Sequence, residues 1–260
     1  MRPGQSFEDP DVAHNYRYRP DYPEELFEKL VSLTKQHNAL DLGCGPGKVA
    51  RRICHAFGSV TAVDPSAAML AVAQELQLPE VNNINWIHGF AEDCALGSTE
   101  FDLIVAAASI HWMDHAKLFP RLLKHVGDEH IFAVVDGDGA YDPPWQKDWD
   151  VFLDKWIFEI TGERYQPNQK DSAFNKKMAR HKEWLHLEGE ALFEHTFTQS
   201  VDEFIACQFS RDTFARSKLG QRVEEFAAEL GRVVGPYSDE TGMLEYRVRS
   251  NIEWGRIRVS

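Results

Sequence analysis

Apolar positions along this chain follow two alternating periods. Short apolar runs at Asn38–Leu42 and Ser59–Val63 predict strands, the second β-branched and ending at Asp64. Ile84–His88, Phe101–Ala107 and Ile131–Asp136 predict three more, and the unbroken apolar run at Phe101–Ala107 is of the kind buried on both faces. Between these runs the spacing turns helical. Pro23–Gln36 puts Leu26, Leu30 and Leu33 on one stripe, with Pro23 at the first helical position and Glu24 and Glu25 at the positive end of the helix dipole. Lys48–Phe57 turns Val49, Ile53 and Phe57 inward and Arg51 and Arg52 outward. Ser66 is placed to cap a helix over Ala67–Leu76, and another helix is expected around Ala116–Val126, interrupted or started by Pro120. Strands alternating with helices over about 140 residues predict βαβ units around a parallel sheet. Ligands of such sheets bind beyond the carboxyl ends of the strands. The turn after Leu42, Asp64, and the segments after His88 and Ala108 should therefore converge on one crevice.

After Asp136 the pattern changes. "DGDGAYDPPWQ" is a turn-rich break. Helices are expected over Trp145–Ile160 and Ser172–Leu187, a strand over Phe193–Thr198, helices over about 201–216 and 221–234, and a strand over Leu244–Ile257. Residues 140–190 read as a helical insertion on a single 1–260 domain, and as a candidate substrate cap. Four of the seven tryptophans (Trp145, Trp149, Trp156 and Trp184) lie within it. A stripe of this kind either packs as core or walls an acceptor pocket.

Composition narrows the function. With 28 basic against 41 acidic residues, net −13, the chain lacks the excess of positive charge that nucleic acid demands. Its basic stretches, "RRICH" at 51–55 and "NKKMARHK" at 175–182, read as solvated helix faces. No run approaches the roughly 18 apolar residues of a membrane span, and the N-terminus shows no apolar leader, so the expectation is a cytoplasmic protein with no membrane partner. Cys44, Cys54, Cys94 and Cys207 include no C-x-x-C pair and are expected as free thiols in a reducing compartment.

"ALDLGCGPGKVA" carries the chemistry. Gly43, Gly45 and Gly47 form G-x-G-x-G between a strand and a helix, where the lack of a Cβ permits positive φ and close approach of a ligand. Asp64 ends the next strand, where an acid can hold two ribose hydroxyls, as any adenosine ligand needs. Asp41 discriminates among adenosine ligands, because a carboxylate at this turn repels a pyrophosphate and attracts a cation. The dinucleotide pattern G-x-G-x-x-G also fails, since position 48 is Lys. S-adenosylmethionine has the required parts: adenosine, no phosphate, an ammonium and a sulfonium. A carboxylate or amide of "GFAED", Gly89–Asp93, can accept the adenine amino group.

"LDLGCGPG", "VTAVDPSAAML", "GFAED" and "FDLIVAAASIHWMD", in this order, resemble the class I S-adenosylmethionine-dependent methyltransferases. "YRYRPDYP" resembles the subgroup that includes trans-aconitate methyltransferase-like enzymes acting on small molecules. The resemblance covers about residues 14–136. It implies a Rossmann-like α/β fold: a seven-stranded, mostly parallel sheet with helices on both faces, the last strand antiparallel, and the insertion between strands five and six. It also implies that Asp41, Gly43 and Gly45 line the methionine part of the cofactor and that Asp64 holds the ribose. Met69 then packs on the adenine or serves as plain helix core, Ala91 and Glu92 flank the adenine edge, and Ala108 lies under the cofactor.

Methyl transfer is an in-line displacement at a carbon the sulfonium has already activated, so alignment and exclusion of water dominate, worth up to about 7–11 kcal/mol. A base is needed only for a hydroxyl or a protonated amine acceptor; a carboxylate needs none. His111 is the candidate base, or else a polar residue shaping the pocket. Trp112 either walls the acceptor pocket or packs. Tyr18 and Arg19, within 16–22, suit an anionic acceptor, Arg as a bidentate clamp, or form a surface-packed arm. His111 and His115 lack the Glu of H-E-x-x-H and a third ligand, so no metal is expected. The expected function is methyl transfer to a small-molecule acceptor, through a carboxylate or hydroxyl oxygen. The alternatives are a non-catalytic cofactor-binding regulator, and an enzyme methylating RNA or protein, which the acidic charge and the lack of an N-P-P-Y-like tetrapeptide disfavour. Oligomeric state leaves no mark in the sequence.

Overall fold

In a computed structural model that describes residues 5–165 and 179–258, the chain divides into two units. Of the described residues, a sheet unit takes 21–137, 179–193 and 250–258, and an aromatic unit takes 5–20, 138–165 and 194–249.

Strands β1 (Asn38–Leu42), β2 (Ser59–Asp64), β3 (Ile84–His88), β4 (Leu103–Ala107) and β5 (Ile131–Asp136) pair in parallel in the order β3-β2-β1-β4-β5. β6 (Ala140–Tyr141), β7 (Leu185–Ser200) and β8 (Met243–Ile257) complete the sheet. β8 runs antiparallel to β5, setting Glu253 opposite Val134 and Asn251 opposite Asp136. The mostly parallel sheet with an antiparallel last strand is as expected, and the two-residue β6 is an eighth strand beyond the seven expected.

The central strands are apolar throughout because both faces are covered. Ala39, Leu103, Val105, Ala133 and Val135 face one core with Leu26, Leu30 and Ile53. Leu40, Leu42, Ile104, Ala106 and Phe132 face the other with Leu118, Phe119 and Leu122 of the helix His115–Leu122. Each fully buried Leu or Phe is worth about 1.5–3 kcal/mol. Trp184 stacks on Phe119 at 5.5 Å within the second core.

Several element boundaries differ from expectation. The first long helix is Glu24–Ser32, because the Gln36 amide donates to the Val31 carbonyl (2.6 Å) and Gln36 itself takes φ +58°. Regular helix after the glycine turn is confined to Ala50–Ile53, with single i−4 bonds such as Arg51 N to Gly47 O extending it irregularly. Of the helix expected over Ser172–Leu187, residues 172–178 lie outside the described residues. From Arg180 onward it is not α-helix: Arg180–Trp184 is a 3₁₀ turn and Leu185 begins β7, which incorporates the strand expected at Phe193–Thr198. Among the described residues of the expected 140–190 insertion, Gln146–Thr161 is α-helical. Along β7, half-buried Gly189, Ala191, Phe193, His195 and Phe197 alternate with exposed neighbours, and Gly189 lies where a Cβ would strike the Trp254 ring at 2.4 Å. That period of two overrides local helix propensity.

The aromatic unit is built on Trp145, Phe152, Trp156, Phe204, Phe226 and Tyr246. Phe226 sits 5.0 Å from Trp156 and 5.1 Å from Phe152, in edge-on contacts. The tryptophans of the Gln146–Thr161 helix are therefore core here. The helix expected over 201–216 stops at Phe209, and a separate turn, Arg216–Leu219, follows. Ser210 is fully buried, its hydroxyl donates to the Cys207 carbonyl (2.6 Å), and its own carbonyl accepts from Arg19 rather than from a next helical turn. All four cysteines are buried thiols outside any disulfide. Among the described residues, no helix is long and apolar enough to cross a membrane.

Candidate functional site

β1 delivers the chain to the glycine turn, and all three glycines take positive φ (+62°, +52° and +76°). Their surroundings give each a different reason to lack a Cβ. At Gly43 a Cβ would lie 2.7 Å from Ser109 Cβ, and at Gly47 it would lie 2.5 Å from the Trp86 ring. At Gly45 it would meet no protein atom within 4 Å, so this backbone borders open space. Ser109 Oγ also donates to the Leu42 carbonyl (2.5 Å), which locks the turn after β4 against the turn after β1.

Two buried acids flank the turn. Asp41 is 1% exposed; Oδ2 accepts from Ala50 N at 3.0 Å, while Oδ1 is buried with no hydrogen-bond partner. Burial pushes its pKa up to about 7, opposed by the Ala50 bond and reinforced by Asp64. Asp64 Oδ2 accepts from Gly45 N and Oδ1 from Ser66 N, both at 2.8 Å. Burial raises this carboxyl to about 6, against the pull of those two bonds and of His88. An orphaned buried carboxylate oxygen is costly unless a donor or cation arrives. The residues present therefore fit a ligand with a cationic end and hydroxyls, held against bare backbone at Gly45.

Ser66 Oγ accepts from Met69 N (3.1 Å) and starts the helix Ala67–Glu75, on which Met69 is buried. After β3, Gly89 N donates to the Asp64 carbonyl, so the "GFAED" segment abuts the end of β2. Ala91 is buried, and Glu92 Oε1 accepts from Asp114 N at 2.7 Å, anchoring the start of the His115–Leu122 helix. Ala108 takes φ +50°, unusual for a residue with a Cβ, while its N–H donates to the Val135 carbonyl (2.7 Å).

Beside Ala108 a cleft of about 180 Å³ opens at the carboxyl ends of β4 and β5. His111 lines it, its ring 4.7 Å from that of Trp112, which is 37% exposed. The floor carries Asp136 of β5 with Asn251 and Glu253 of β8, and His181 and Lys182 close one side. Glu253 takes Lys182 Nζ at 2.5 Å and lies 3.4 Å from His181 Nε2. These five residues escaped the sequence reading. The available signal was the alternation in β8, where polar Asn251 and Glu253 interleave with Ile252 and Trp254.

Tyr18 and Arg19 belong to the aromatic unit. Arg19 is 9% exposed; it donates to Ser210 Oγ and Ser210 O at 2.8 Å, pairs with Asp138 at 3.2 Å and lies 4.0 Å over the Tyr16 ring. The Tyr18 carbonyl accepts from Gln199 at 3.5 Å.

A family model described as a methyltransferase domain matches residues 39–128. The trans-aconitate 2-methyltransferase of Deinococcus radiodurans is 31% identical over 128 residues, covering 48% of this chain and 47% of that protein. A Saccharomyces cerevisiae protein provisionally named the S-adenosylmethionine-dependent methyltransferase CRG1 is 29% identical over 132 residues, 47% of this chain and 44% of its own. The chain thus matches less than half the length of these curated relatives. Among solved structures, one provisionally named a type II methyltransferase, from Anaeromyxobacter dehalogenans, superposes with a TM-score of 0.64 over 93% of this chain and 99% of its own at 23% identity, a likeness of fold.

Proposed function

We propose, given that this chain belongs through residues 39–128 to the class I S-adenosylmethionine-dependent methyltransferases, that it methylates a small-molecule acceptor at a carboxylate or hydroxyl oxygen. The observation that carries this reading is the cleft beginning at Ala108. Its volume of about 180 Å³ at the carboxyl ends of β4 and β5 has room for a small acceptor group. That two relatives of this domain are named for trans-aconitate or for the cofactor supports the same class.

The cofactor supplies a methyl carbon made electrophilic by the sulfonium charge. The chain's own residues have to bind, orient and desolvate. Gly43 and Gly45 present backbone without Cβ atoms, and Asp41 places a counter-charge for the cationic end. Asp64 offers the second lone pairs of its two oxygens to ribose hydroxyls, with its orientation already set by Gly45 N and Ser66 N. Met69, Ala91 and Glu92 bound the adenine, and Ala108 joins this site to the cleft. His111 and Trp112 shape the acceptor wall. Tyr18 and Arg19 belong to the aromatic unit, where Arg19 is held by Ser210 and Asp138, and they are given no role at this cleft.

Calorimetry with S-adenosylmethionine and S-adenosylhomocysteine, followed by an acceptor screen, tests the proposal. Tight binding with turnover supports it, and binding without turnover on any acceptor favours a regulator. Asp64→Ala is expected to weaken cofactor binding by about 1–3 kcal/mol through lost charged hydrogen bonds; unchanged affinity removes Asp64 from the site. His111→Ala is expected to raise KM several-fold, with kcat falling less than about tenfold, as loss of uniform binding does. A fall of about 100-fold in kcat would make His111 the base instead.

A further inference from the structure

The cleft joins apolar walls, among them Ile110 and Val135, to a polar floor on two paired strands. Asn251 and Glu253 of β8 stand directly opposite Asp136 and Val134 of β5, so these side chains share one sheet face. The charged floor groups spend bonds on the chain itself. Glu253 accepts from Lys182 Nζ at 2.5 Å, and Asp136 Oδ1 accepts from Gly137 N at 2.8 Å. Asn251 differs. It is half-buried and lines the same cleft, and its side-chain amide takes no hydrogen bond from or to another described residue. Its backbone is fixed nonetheless. The neighbouring Ser250 is fully buried and donates from Oγ to the Gly137 carbonyl (2.8 Å), and Ile252 on the other side is fully buried in the sheet. The floor therefore holds an uncommitted amide on a rigid strand. That amide offers two N–H donors and a carbonyl acceptor and carries no charge.

We propose that Asn251 binds the methyl acceptor through an uncharged group that both donates and accepts, a hydroxyl or a primary amide, next to the oxygen that is methylated. The inference rests on the methyltransferase reading above and names what its acceptor offers to the cleft. Asn251 can exchange two bonds with such a group, one in each direction; a methyl group can make neither, and an ether only accepts. A carboxylate in the same place sets its lone pairs against the Asn251 carbonyl. It also finds the charge of Lys182 already offset by Glu253. Discrimination follows from burial. When the occupant lacks the matching group, the amide is left with unmade bonds, and that is the strongest form of rejection a pocket has. Asn251 takes no proton and touches no reacting bond. It turns the acceptor so that the oxygen to be methylated faces the Ala108 end of the cleft. Its place on a paired strand, rather than on a loop, keeps that orientation within the narrow tolerance that in-line displacement demands.

The test uses the full chain, methyl-labelled S-adenosylmethionine and sets of small carboxylic acids and phenols. Members of a set differ only beside the reacting oxygen, where they carry a hydroxyl or primary amide, a methyl group, or a carboxylate. Calorimetry with S-adenosylhomocysteine first checks that two variants are folded and bind the cofactor: Asn251→Val, whose β-branched side chain suits a strand, and Asn251→Asp, which nearly keeps the native shape. The native chain should favour the hydroxyl or amide member over the methyl member by about 30-fold or more in kcat/KM. Asn251→Val should raise KM for the favoured member about tenfold or more with kcat within a few-fold, and the preference within a set should shrink to about threefold or less. Damage to the fold would instead lower all members alike. Asn251→Asp has no N–H to give an amide carbonyl, so it should lose the preference for amide-bearing probes; if Asn251→Val does not fold, this variant decides. Equal kcat/KM for all members in the native chain overturns the inference. So does preference for the carboxylate member, a preference that survives the substitutions, a loss shared equally by all members, or cofactor binding with no transfer to any probe. If the native chain fails to bind S-adenosylhomocysteine, the methyltransferase reading itself falls, and this inference with it.

Discussion

Asp41→Asn is expected to bind S-adenosylmethionine about 100-fold more weakly and yet to unfold at a higher temperature than the native chain when no ligand is present. Both effects come from one buried carboxyl. In the folded, ligand-free protein Asp41 titrates at about 7 instead of its ordinary 3.8, because burial disfavours its charge. Below pH 3.8 the folded and unfolded chains both hold the proton, and the group does not influence stability. Between 3.8 and 7 the unfolded chain releases the proton and the folded chain retains it, so stability falls with rising pH. Above 7 the full cost applies, about 4 kcal/mol before any relaxation of the site. Asparagine keeps an oxygen for Ala50 N without the charge, so the loss between pH 4 and 7 should shrink and the apo midpoint should rise by about 5 °C or more at pH 8. The cofactor reverses the balance. A cation near Oδ1 at about 4 Å gains roughly 3–4 kcal/mol at the effective dielectric of a protein site, the origin of the expected affinity loss. Affinity of the native chain should fall as pH drops from 7 towards 5, while binding of neutral adenosine should barely respond to Asp41→Asn. Calorimetry and thermal melts at pH 5, 6.5 and 8 read both halves. An unchanged affinity, or a variant less stable at pH 8, would remove Asp41 as the counter-charge.

The second large effect is a contrast between two glycines two residues apart. Gly45→Ala should weaken cofactor binding about 30-fold or more, at a stability cost of only about 1–2 kcal/mol for an L-residue at φ +52°. Its methyl group would project into space that no protein atom occupies within 4 Å, the space assigned to the ligand. Gly47→Ala should instead damage the fold by about 3 kcal/mol or more, since it adds a clash to the same backbone penalty. Its methyl group would sit 2.5 Å from the Trp86 ring, and that ring is held by a 2.7 Å bond from its Nε1 to Gln77. Chemical denaturation and calorimetry on the two variants separate the roles. If Gly45→Ala binds normally, the ligand does not lie on this turn. If Gly47→Ala is as stable as the native chain, Trp86 is not the constraint.

The turn was legible in the sequence because its requirements are local. Positive φ at Gly43, Gly45 and Gly47, an acid at the end of each of the first two strands, and a serine cap at Ser66 depend on neighbours within a few residues. The five parallel strands were legible because burial on both faces demands uninterrupted apolar runs; Ile84–His88 and Ile131–Asp136 coincide with their expected limits. Helix ends were less so. Ser210 looks like any residue within a helix until Arg19, distant in sequence, takes its carbonyl. Arg19 in turn read equally as a clamp or as part of a surface-packed arm, and the structure buries it against Ser210 and Asp138.

The sequence by itself thus determined the sheet's parallel core and the glycine turn with its two flanking acids, since periodicity and short-range backbone chemistry encode them. Only the tertiary structure decided that Asn251 and Glu253 share a sheet face with Asp136, and that His181 and Lys182 come to meet them. That arrangement depends on the antiparallel register of β5 and β8, whose paired residues lie more than a hundred positions apart. The chemistry of the cleft is therefore set by strand pairing, and no short stretch of the chain contains it.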